Sequence, residues 1–387
     1  MSKPKLIRIT TVPLSLDKLL GGQLQFMNSF YKVVAVSAEK EYLERVGIKE
    51  GVRTFPLEMT RKITPFQDLM AVIKLFLFLR KEKPLIVHTH TPKAGIIGML
   101  ASVLAGVPHR FHTVAGMPLL EATGAKRKML DFVEKLTYSC ATKVYPNSYG
   151  LADIILKNNY CTIEKVKVLA NGSSNGIDTS YFNPELFDKV QRTNLKQDLN
   201  IAEGDFVFVF VGRLVADKGV NELVMAFEQL SAEHKKVKLL LVGDYEAHLD
   251  PLSPETLAII QTNKAIVSVG FQSDVRPYLS ISDVLAFPSY REGFPNVVMQ
   301  AGAMGLPSIV SNINGCNEII VEGENGTIIP VKNTPAIIEK MELLLSDANY
   351  FKKLQSNARE MIVSRYEQKL VWEAILAEYS EFGKGSN

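Results

Sequence analysis

The sequence predicts an α/β protein with two Rossmann-like domains. Its 387 residues are enough for roughly two or three domains. Short β-branched runs alternate with longer helical segments along most of the chain, and one stretch without clear periodicity interrupts the alternation near the middle. Because parallel strands need long crossover connections, which are usually helices, the alternation predicts a parallel sheet in each half.

The first half contains six runs that are typical of strands. They are Leu6–Thr10, Tyr31–Val36, Leu85–Thr89, Arg110–Val114, Lys143–Pro146 and Val166–Leu169. Two segments between them, Leu69–Arg80 and Lys93–Leu104, have the length and spacing of crossover helices. We therefore predict an N-terminal Rossmann-like domain over residues 1–180.

The second half repeats the alternation after a looser stretch. From Asn171 to about Glu203, Gly, Ser, Asn and Pro are frequent, which is typical of a linker. Strands are predicted at Phe206–Val211, Val237–Val242, Ile266–Val269, Val284–Phe287 and Ser308–Val310. Helices are predicted at Gly219–Leu230, Pro254–Thr262, Asn296–Met304, Pro335–Leu345, Tyr350–Tyr366 and Lys369–Phe382. We predict a C-terminal Rossmann-like domain over residues 181–366, and we expect a helix over about 367–387 to pack back on the first domain.

The composition excludes several classes of protein. Hydrophobic residues at 47% and charged residues at 22% are ordinary globular usage, and 44 basic against 41 acidic residues are too even for whole-surface attraction to nucleic acid. The three cysteines form no CxxC pair, so they favour a reducing compartment over a disulfide scaffold or a zinc site. The start does not resemble a secretory signal, and the apolar stretches are too short to span a membrane. We therefore expect a cytoplasmic protein.

The sequence lacks the motifs of several familiar enzyme classes, or carries them in the wrong context. The sequence has no G-x-G-x-x-G, no G-x-x-x-x-G-K-[ST] and no H-E-x-x-H. Residues 172–176 match G-x-S-x-G, but loop-like sequence follows where a nucleophile elbow needs a helix, so a flexible linker is the better interpretation. His88 and His90 have metal-ligand spacing without an adjoining acid, which favours a structural or substrate-facing pair.

Two cations occupy a position suited to a phosphorylated ligand. The sequence has no Asp-x-Asp to hold a metal-bound diphosphate, so protein cations would have to neutralise one. Arg213 and Lys218 follow the strand 206–211 and precede a helix, whose N-terminal dipole also favours an anion. The alternative, an ordinary surface pair in a βα loop, stays open.

A second loop, Ser289–Asn296, also connects a strand to a helix on the same side of the second sheet. Glu292 could hold sugar hydroxyls there, and Gly293 lets backbone amides approach a ligand closely. Asn296 is expected to cap the next helix. The alternative role for Glu292 is that of a helix-start acid which complements the dipole.

Several short motifs occur in order along the chain: Gly21-Gly22, His90-Thr91-Pro92-Lys93-Ala94-Gly95, Phe111-His112-Thr113-Val114-Ala115-Gly116, Asn171-Gly172 with Ile177-Asp178, Gly212-Arg213-Leu214 with Lys218-Gly219, Gly270-Phe271 and Glu292-Gly293-Phe294-Pro295. Taken together, these motifs resemble those of the retaining nucleotide-sugar glycosyltransferases of family 4, whose GT-B fold has two Rossmann-like domains facing a central cleft. Within the family, the resemblance is to bacterial enzymes that build capsules, O-antigens or lipid-linked glycans. It rests on two segments, Gly315-Cys316-Asn317-Glu318 and Arg291–Pro295.

The resemblance implies a role for each matching position. Arg213 and Lys218 correspond to the pair that holds the donor diphosphate, and Glu292 to an acid that contacts the donor sugar; these three are the expected catalytic residues. Further residues implied on the donor side are Gly21, Gly22, Gly212, Phe271, Gly293, Phe294, Pro295, Asn296 and Gln300. Residues implied on the acceptor side are His90, Lys93, His112, Ala115, Gly116 and Met117. Neither a cofactor nor a metal ion is expected.

Two positions depart from the family pattern. Gln300 stands where the second acid of the Glu-x7-Glu motif usually holds the ribose, and it offers one acceptor and two donors instead. Ala115 stands where many relatives carry a His that faces the reacting sugar, which suggests a different hydroxyl pattern on the donor. The family mechanism requires no protein nucleophile, in keeping with the lack of a convincing one here.

The expected function is transfer of a hexose or N-acetylhexosamine from a UDP-linked sugar to a polyprenyl-diphosphate-linked saccharide at the inner face of a bacterial plasma membrane. The basic amphipathic stretches Ala122–Lys135 and Leu69–Lys83 could lie on an anionic membrane surface, or they could be crossover helices with a solvated charged face. The alternative functions are a GT-B nucleotide-sugar epimerase or isomerase, and a non-catalytic subunit that binds nucleotide sugar.

Overall fold

The computed structural model describes residues 3–60, 62–117, 119, 122–246 and 250–383. The chain forms two compact units. Unit 1 contains the chain up to Gly176 and again from Gln368 onward, and unit 2 is Ile177–Glu367. The sequence predicted the first boundary after residue 180, and the end of its final helix, residues 384–387, lies outside the described residues.

Unit 1 is built on a parallel sheet of six strands among the described residues. The strands are β1 Lys5–Ile9, β2 Lys32–Ser37, β3 Arg53–Pro56, β4 Ile86–His90, β5 His109–Val114 and β6 Lys143–Pro146. Their order in the sheet, β3-β2-β1-β4-β5-β6, is that of a doubly wound Rossmann fold. The strand order reverses between β1 and β4, the place where such sheets bind ligands at the carboxyl ends of the strands.

Helices surround this sheet. They are α1 Pro13–Leu19, α2 Gln23–Asn28, α3 Lys40–Glu50, α4 Pro65–Glu82, α5 Pro92–Leu104, α6 Gly124–Cys140, α7 Tyr149–Lys157 and α16 Gln368–Gly383. The last of these returns to unit 1 because Val371, Ile375 and Tyr379 recur every four residues and are buried in the same core as β1 and β2. Both predicted crossover helices are confirmed within α4 and α5.

In unit 1 one predicted strand is wrong and one strand was missed. Val166–Leu169 is not a strand, since only Val166 forms an isolated bridge, to Val144 of β6. Conversely, the edge strand β3 was not predicted, because Arg53 and Pro56 leave only a short polar run that lacks the buried pattern. The other five predicted strands are confirmed.

Unit 2 repeats the architecture. Its strands are β7 Phe206–Val211, β8 Val237–Val242, β9 Ile266–Ser268, β10 Val284–Phe287, β11 Ser308–Ser311 and β12 Gly326–Ile329, in the parallel order β12-β11-β10-β7-β8-β9. Its helices are α8 Lys189–Asp198, α9 Val220–Glu233, α10 Pro254–Thr262, α11 Arg276–Ser280, α12 Asn296–Ala303, α13 Cys316–Ile319, α14 Thr334–Ser346 and α15 Ala348–Tyr366. All five predicted strands are confirmed, and β12 was missed because it is short and begins with Gly.

The predicted linker over residues 171–203 is partly wrong. This stretch contains the regular helix α8, which begins with a capping box between Asp188 and Gln191. The G-x-S-x-G segment within it is a turn rather than a nucleophile elbow. There the hydroxyl of Ser173 accepts hydrogen bonds from the backbone N–H groups of Asn175 and Gly176.

Helix length and polarity bear on membrane insertion. In the part of the chain that the structure describes, every helix is too short or too polar to cross a bilayer.

Candidate functional site

The central feature of unit 2 is an ion pair at the carboxyl edge of its sheet, the edge at which the strands end. β7 and β10 are neighbours, and the loops that follow them bring Lys218 and Glu292 together. The Lys218 ammonium donates to Glu292 Oε1, which also accepts a 3.0 Å hydrogen bond from the Ser289 hydroxyl. The other oxygen, Oε2, has no hydrogen-bond partner among the described residues, so it can accept from a ligand.

Gly219 allows these two loops to meet. Its φ is +70°, and a Cβ there would lie 2.1 Å from the carbonyl oxygen of Pro288. The loops are also joined by a 2.9 Å hydrogen bond from the Tyr290 N–H to the Asp217 carbonyl. The glycine is therefore required by the contact beside it as well as by its own backbone conformation.

Arg213 lies in the same loop as Lys218, but its own partner is Glu246. Its Nη1 donates to Glu246 Oε2 at 2.9 Å, and the guanidinium is 47% exposed. This hydrogen bond raises the pKa of Arg213, and the charges of Glu246, Asp217 and Glu292 raise it further. Arg213 is thus a permanently charged, accessible cation in an acidic setting.

The backbone of the loop that follows Glu292 packs closely against a second glycine. Gly315 has φ +71°, and a Cβ on it would approach the Gly293 carbonyl oxygen to 2.7 Å. Phe294 is buried, and its ring packs 5.4 Å from that of Tyr366. Pro295 then precedes the first residue of α12. The backbone around Glu292 is therefore firmly placed.

Two predicted donor residues occupy α12. The expectation that Asn296 caps this helix is wrong: Pro295 is the N-cap residue, no side chain caps the helix, and Asn296 is its exposed first residue. Gln300 follows about one turn later and is half-buried. Its side chain has no hydrogen-bond partner among the described residues, which leaves its amide available.

Phe271 follows β9 at the same edge of the sheet. Its side chain is 69% exposed, and its N–H donates to Asp244 Oδ1 at 2.9 Å. The Asp244 carbonyl accepts from the N–H of Leu214, next to Arg213. Asp244 and Glu246 were not singled out from the sequence, although the Gly-Asp pair directly after β8 is a signal of a strand-end loop.

The residues predicted on the acceptor side lie in unit 1, and several of them are buried. His90, at the end of β4, stacks on His88 with 4.3 Å between ring centroids. His112 lies in the core, 2.8 Å from the Thr89 hydroxyl, and burial lowers its pKa to about 4. Met117 is also a core residue, and Lys93 forms a 2.5 Å ion pair with Asp68 of α4.

Ala115 and Gly116, the other two positions predicted on the acceptor side, follow β5 and are half-buried. The Ala115 carbonyl accepts a 3.5 Å hydrogen bond from Asn147 Nδ2.

Gly21 and Gly22 lie in a loop between α1 and α2 that is fixed from several directions. The Gly21 carbonyl accepts from the side-chain amides of Asn175, at 3.1 Å, and Gln368, at 3.2 Å. Gly22 has φ +78°, and a Cβ there would lie 2.7 Å from the Trp372 ring. The Gly22 N–H already donates to Glu50 Oε1 at 2.9 Å. The absence of a side chain at Gly22 thus leaves room for the Trp372 ring, while its N–H is already hydrogen-bonded to Glu50.

Two family models match the chain. The Glycosyl transferase 4-like domain matches residues 25–172, and Glycosyl transferases group 1 matches residues 191–361. The capsular polysaccharide biosynthesis glycosyltransferase CapM of Staphylococcus aureus is 32% identical over 390 residues, which is 100% of this chain and 99% of the relative. A UDP-Gal:alpha-D-GlcNAc-diphosphoundecaprenol alpha-1,3-galactosyltransferase of Escherichia coli is 30% identical over 328 residues, with 82% and 81% covered.

Solved structures agree on the fold. A glycosyltransferase from Rickettsia africae superposes with a TM-score of 0.81 at 19% identity, over 100% of both chains. Anabaena HepE in complex with UDP superposes with a TM-score of 0.80 at 18% identity, over 98% of this chain and 100% of that one. With the whole-length match to CapM, these findings show that the chain belongs to the family 4 glycosyltransferases of the GT-B fold.

Proposed function

We propose that this protein is a retaining glycosyltransferase that acts in the assembly of a bacterial surface polysaccharide. It transfers a hexose or N-acetylhexosamine from a nucleotide sugar, expected to be UDP-linked, to a saccharide on a polyprenyl-diphosphate carrier. The observation that carries the proposal is the Lys218–Glu292 pair, with Arg213 in the same loop, at the carboxyl edge of the unit 2 sheet.

The charges in this loop suit a nucleoside diphosphate leaving group. Arg213 offers an accessible guanidinium fork, and Lys218 offers a point charge that is only 15% exposed. Cations fixed in place before the reaction stabilise charge that develops on a departing phosphate. Glu292 Oε2 is left to accept a hydroxyl of the donor sugar. Cations therefore face the leaving group and a carboxylate faces the sugar.

The proposed mechanism needs no protein nucleophile. The bond between the anomeric carbon and the diphosphate oxygen breaks, and the acceptor oxygen forms a new bond to that carbon on the same face. The departing phosphate takes the proton of the acceptor hydroxyl. Arg213 and Lys218 then matter through electrostatics and positioning.

The proposed reaction does not use a metal ion. Among the described residues, one group could hold a metal: Glu233, His234 and Glu342, whose ligand atoms lie within 4.8 Å of one another. This group is at the end of α9, whereas Lys218 and Glu292 lie near the beginnings of α9 and α12. Metal removal is therefore expected to leave donor binding unchanged.

The proposed acceptor is supported by the relatives' names. The Escherichia coli relative is named for a GlcNAc-diphosphoundecaprenol acceptor. A Campylobacter jejuni relative, 26% identical over 90% of this chain, is named for a diacetylbacillosaminyl-diphospho-undecaprenol acceptor. Lipid-linked saccharides are thus the acceptor class to test first.

An exposed face of α4 supports membrane association. Five apolar side chains share this face at helical spacing and are exposed: Phe66, Leu69, Met70, Ile73 and Leu77. Basic residues lie on the same helix or directly after it: Lys74, Arg80, Lys81 and Lys83. An apolar helix face beside basic side chains is the pattern that binds anionic lipid surfaces. We therefore propose that α4 holds the protein at the inner membrane face.

The donor proposal is tested by a thermal-shift screen of UDP-, GDP-, ADP- and dTDP-sugars with EDTA present. A donor at about 100 times its dissociation constant should stabilise the protein by roughly 2.7 kcal/mol. The shift should occur with one nucleotide and disappear in R213A and K218A. K353A, which removes an exposed ion pair with Glu324 elsewhere in unit 2, is the matched control and should keep it.

No shift with any nucleotide sugar in folded protein would contradict the donor proposal. Incubation with the donor alone separates the rival activity, because an epimerase or isomerase would return an altered nucleotide sugar.

The membrane proposal is tested by sedimentation with vesicles of phosphatidylglycerol and of phosphatidylcholine. Binding should need the anionic lipid and should fall in the double variant F66S/L77S. V190S, which changes an exposed apolar residue on α8, is the control. Equal loss of binding in V190S would argue against α4 as the docking helix.

A further inference from the structure

The ion pair between Lys218 and Glu292 does not by itself fix the orientation of the carboxylate. The Lys218 ammonium contacts one of the two carboxylate oxygens, Oε1. An ammonium is a compact point charge with rotatable donors, so on its own it attracts either oxygen of a carboxylate, or both. A second contact is needed to decide which oxygen of Glu292 is left for a ligand.

The hydroxyl of Ser289 supplies that second contact. Its oxygen lies 3.0 Å from Glu292 Oε1 and 3.2 Å from the carbonyl oxygen of Arg291. A hydroxyl has one hydrogen to donate, and hydrogen bonds to ionised acceptors are the stronger ones, so the carboxylate receives it. Oε1 then accepts from both Lys218 and Ser289, whereas Oε2 has no hydrogen-bond partner among the described residues.

The backbone on both sides of Ser289 is fixed by the loop that follows β7. On one side, the Pro288 carbonyl oxygen packs against Gly219, where it leaves no room for a Cβ. On the other side, the Tyr290 N–H donates to the Asp217 carbonyl oxygen at 2.9 Å. Ser289 itself is completely buried. A hydroxyl on a rigid backbone positions its partner more precisely than one on a mobile loop.

We propose that Ser289 is a positioning residue for the transfer reaction, which holds Glu292 Oε1 toward Lys218 so that Oε2 is presented to a hydroxyl of the donor sugar. This inference rests on the proposed function, in which Glu292 faces the sugar. Because Ser289 is completely buried, it acts through Glu292 rather than on the ligand.

The role proposed for Ser289 concerns the reaction more than donor binding. The charge of the donor diphosphate meets Arg213 and Lys218, whose contacts with it do not pass through Ser289. The orientation of the sugar depends on Glu292 Oε2, and the rate of a transfer step is sensitive to the placement of the reacting groups. Loss of the Ser289 hydroxyl should therefore lower kcat more than it weakens donor binding.

The inference is tested by steady-state kinetics of the full chain with the donor that the nucleotide screen identifies. Ser289→Ala removes the hydroxyl, whereas Ser289→Thr keeps it. S289A should lower kcat by about 10- to 100-fold and leave the donor KM within about 2-fold of the wild type, and S289T should recover most of the lost kcat. The matched control is Ser280→Ala, which removes a hydroxyl that donates to the Pro277 carbonyl at 2.7 Å elsewhere in unit 2 and should keep the wild-type kcat.

Crystal structures of the wild type and S289A give a measurement that does not depend on activity. In the wild type, Lys218 and Ser289 should both contact Glu292 Oε1 alone. In S289A, the carboxylate should turn so that both of its oxygens approach the Lys218 ammonium. An unchanged carboxylate in S289A would overturn the inference, and this comparison stands even if the added methyl group of S289T is not tolerated at a buried position.

The kinetic outcomes separate this inference from the proposed function. An active wild type with the same kcat as S289A would overturn the inference alone. So would a loss of kcat matched by an equal loss of donor affinity, because a merely structural role for Ser289 would weaken donor binding as well. A folded wild type that transfers no sugar from any nucleotide sugar would instead overturn the proposed function, and the inference with it.

Discussion

Lys218 and Glu292 are 74 positions apart in the chain, yet their side chains form an ion pair in which both are largely buried, at 15% and 17% exposure. The pair forms because β7 and β10 are adjacent and both loops follow the strands at one edge of the sheet. Removing one partner leaves the other charge unpaired in a region of low dielectric constant. A substitution at either position should therefore disturb these two loops, and under the proposed function it should also impair donor binding.

Substituting Lys218 should impair transfer more than it impairs folding. Lys218→Met removes a charge that the proposed mechanism places on the departing diphosphate. Loss of one such electrostatic contact typically costs about 10²- to 10³-fold in rate. The transfer rate should be measured with the donor that the nucleotide screen identifies. K353A should retain wild-type rate, and a K218M rate within a few-fold of wild type would sink the proposed role.

Gly219→Ala should lower the free energy of unfolding by more than the same substitution at a glycine that has a similar φ but open space around it. The matched control is Gly106→Ala, because Gly106 has a similar φ of +69° but open space where its Cβ would be. Both variants suffer the left-handed backbone cost of about 1–2 kcal/mol. Only G219A also forces a contact with the Pro288 carbonyl, which should cost about 1–3 kcal/mol more. Denaturant unfolding of both variants gives the difference, and equal losses would contradict the argument.

The sequence predicted strands well where both faces are buried, as in the all-apolar run Phe206–Val211. It missed two short edge strands: β3, whose residues are partly exposed, and β12, which begins with Gly. α8 was missed although its capping box is local. The polar pairs could not be predicted for another reason, which is that their members are far apart in the sequence. Arg213 pairs with Glu246 across 33 positions and Asn175 with Gly21 across 154. Such pairs depend on sheet order, which periodicity does not give.

Buried histidines should make stability fall as the pH is lowered. Burial is the main cause that depresses the pKa values of His88, His90 and His112, the last to about 4. Below the unfolded value of about 6.5, the unfolded state binds more protons than the folded state, so acid favours unfolding. Their stabilising contribution is fully present above about pH 6.5 and is lost progressively below it.

This loss can be measured by urea unfolding at several values between about pH 7 and pH 5. The free energy of unfolding of unit 1 should fall with a slope of more than one proton, since three histidines contribute. His112→Asn, whose amide can keep the contact with Thr89, should reduce the slope by about one proton. A free energy of unfolding that does not change over this range would show that the pKa values of the three histidines are not lowered in the folded state.

Glu246 should compete with the donor for Arg213. In the ligand-free protein Glu246 accepts from Arg213 Nη1 at 2.9 Å, and a diphosphate would have to share or replace that contact. Glu246→Gln keeps an acceptor oxygen but removes the charge, so donor affinity should rise. An exposed pair of this kind is worth about 0.2–1 kcal/mol, which corresponds to a gain of roughly 1.4- to 5-fold.

Calorimetric titration of the donor into wild type and E246Q, at low and high salt, measures this gain. The difference between the two proteins should shrink as salt screens the carboxylate. A weaker affinity in E246Q would mean that Glu246 orients the guanidinium toward the diphosphate rather than competing for it, because the amide holds the Arg213 fork less firmly than the carboxylate does.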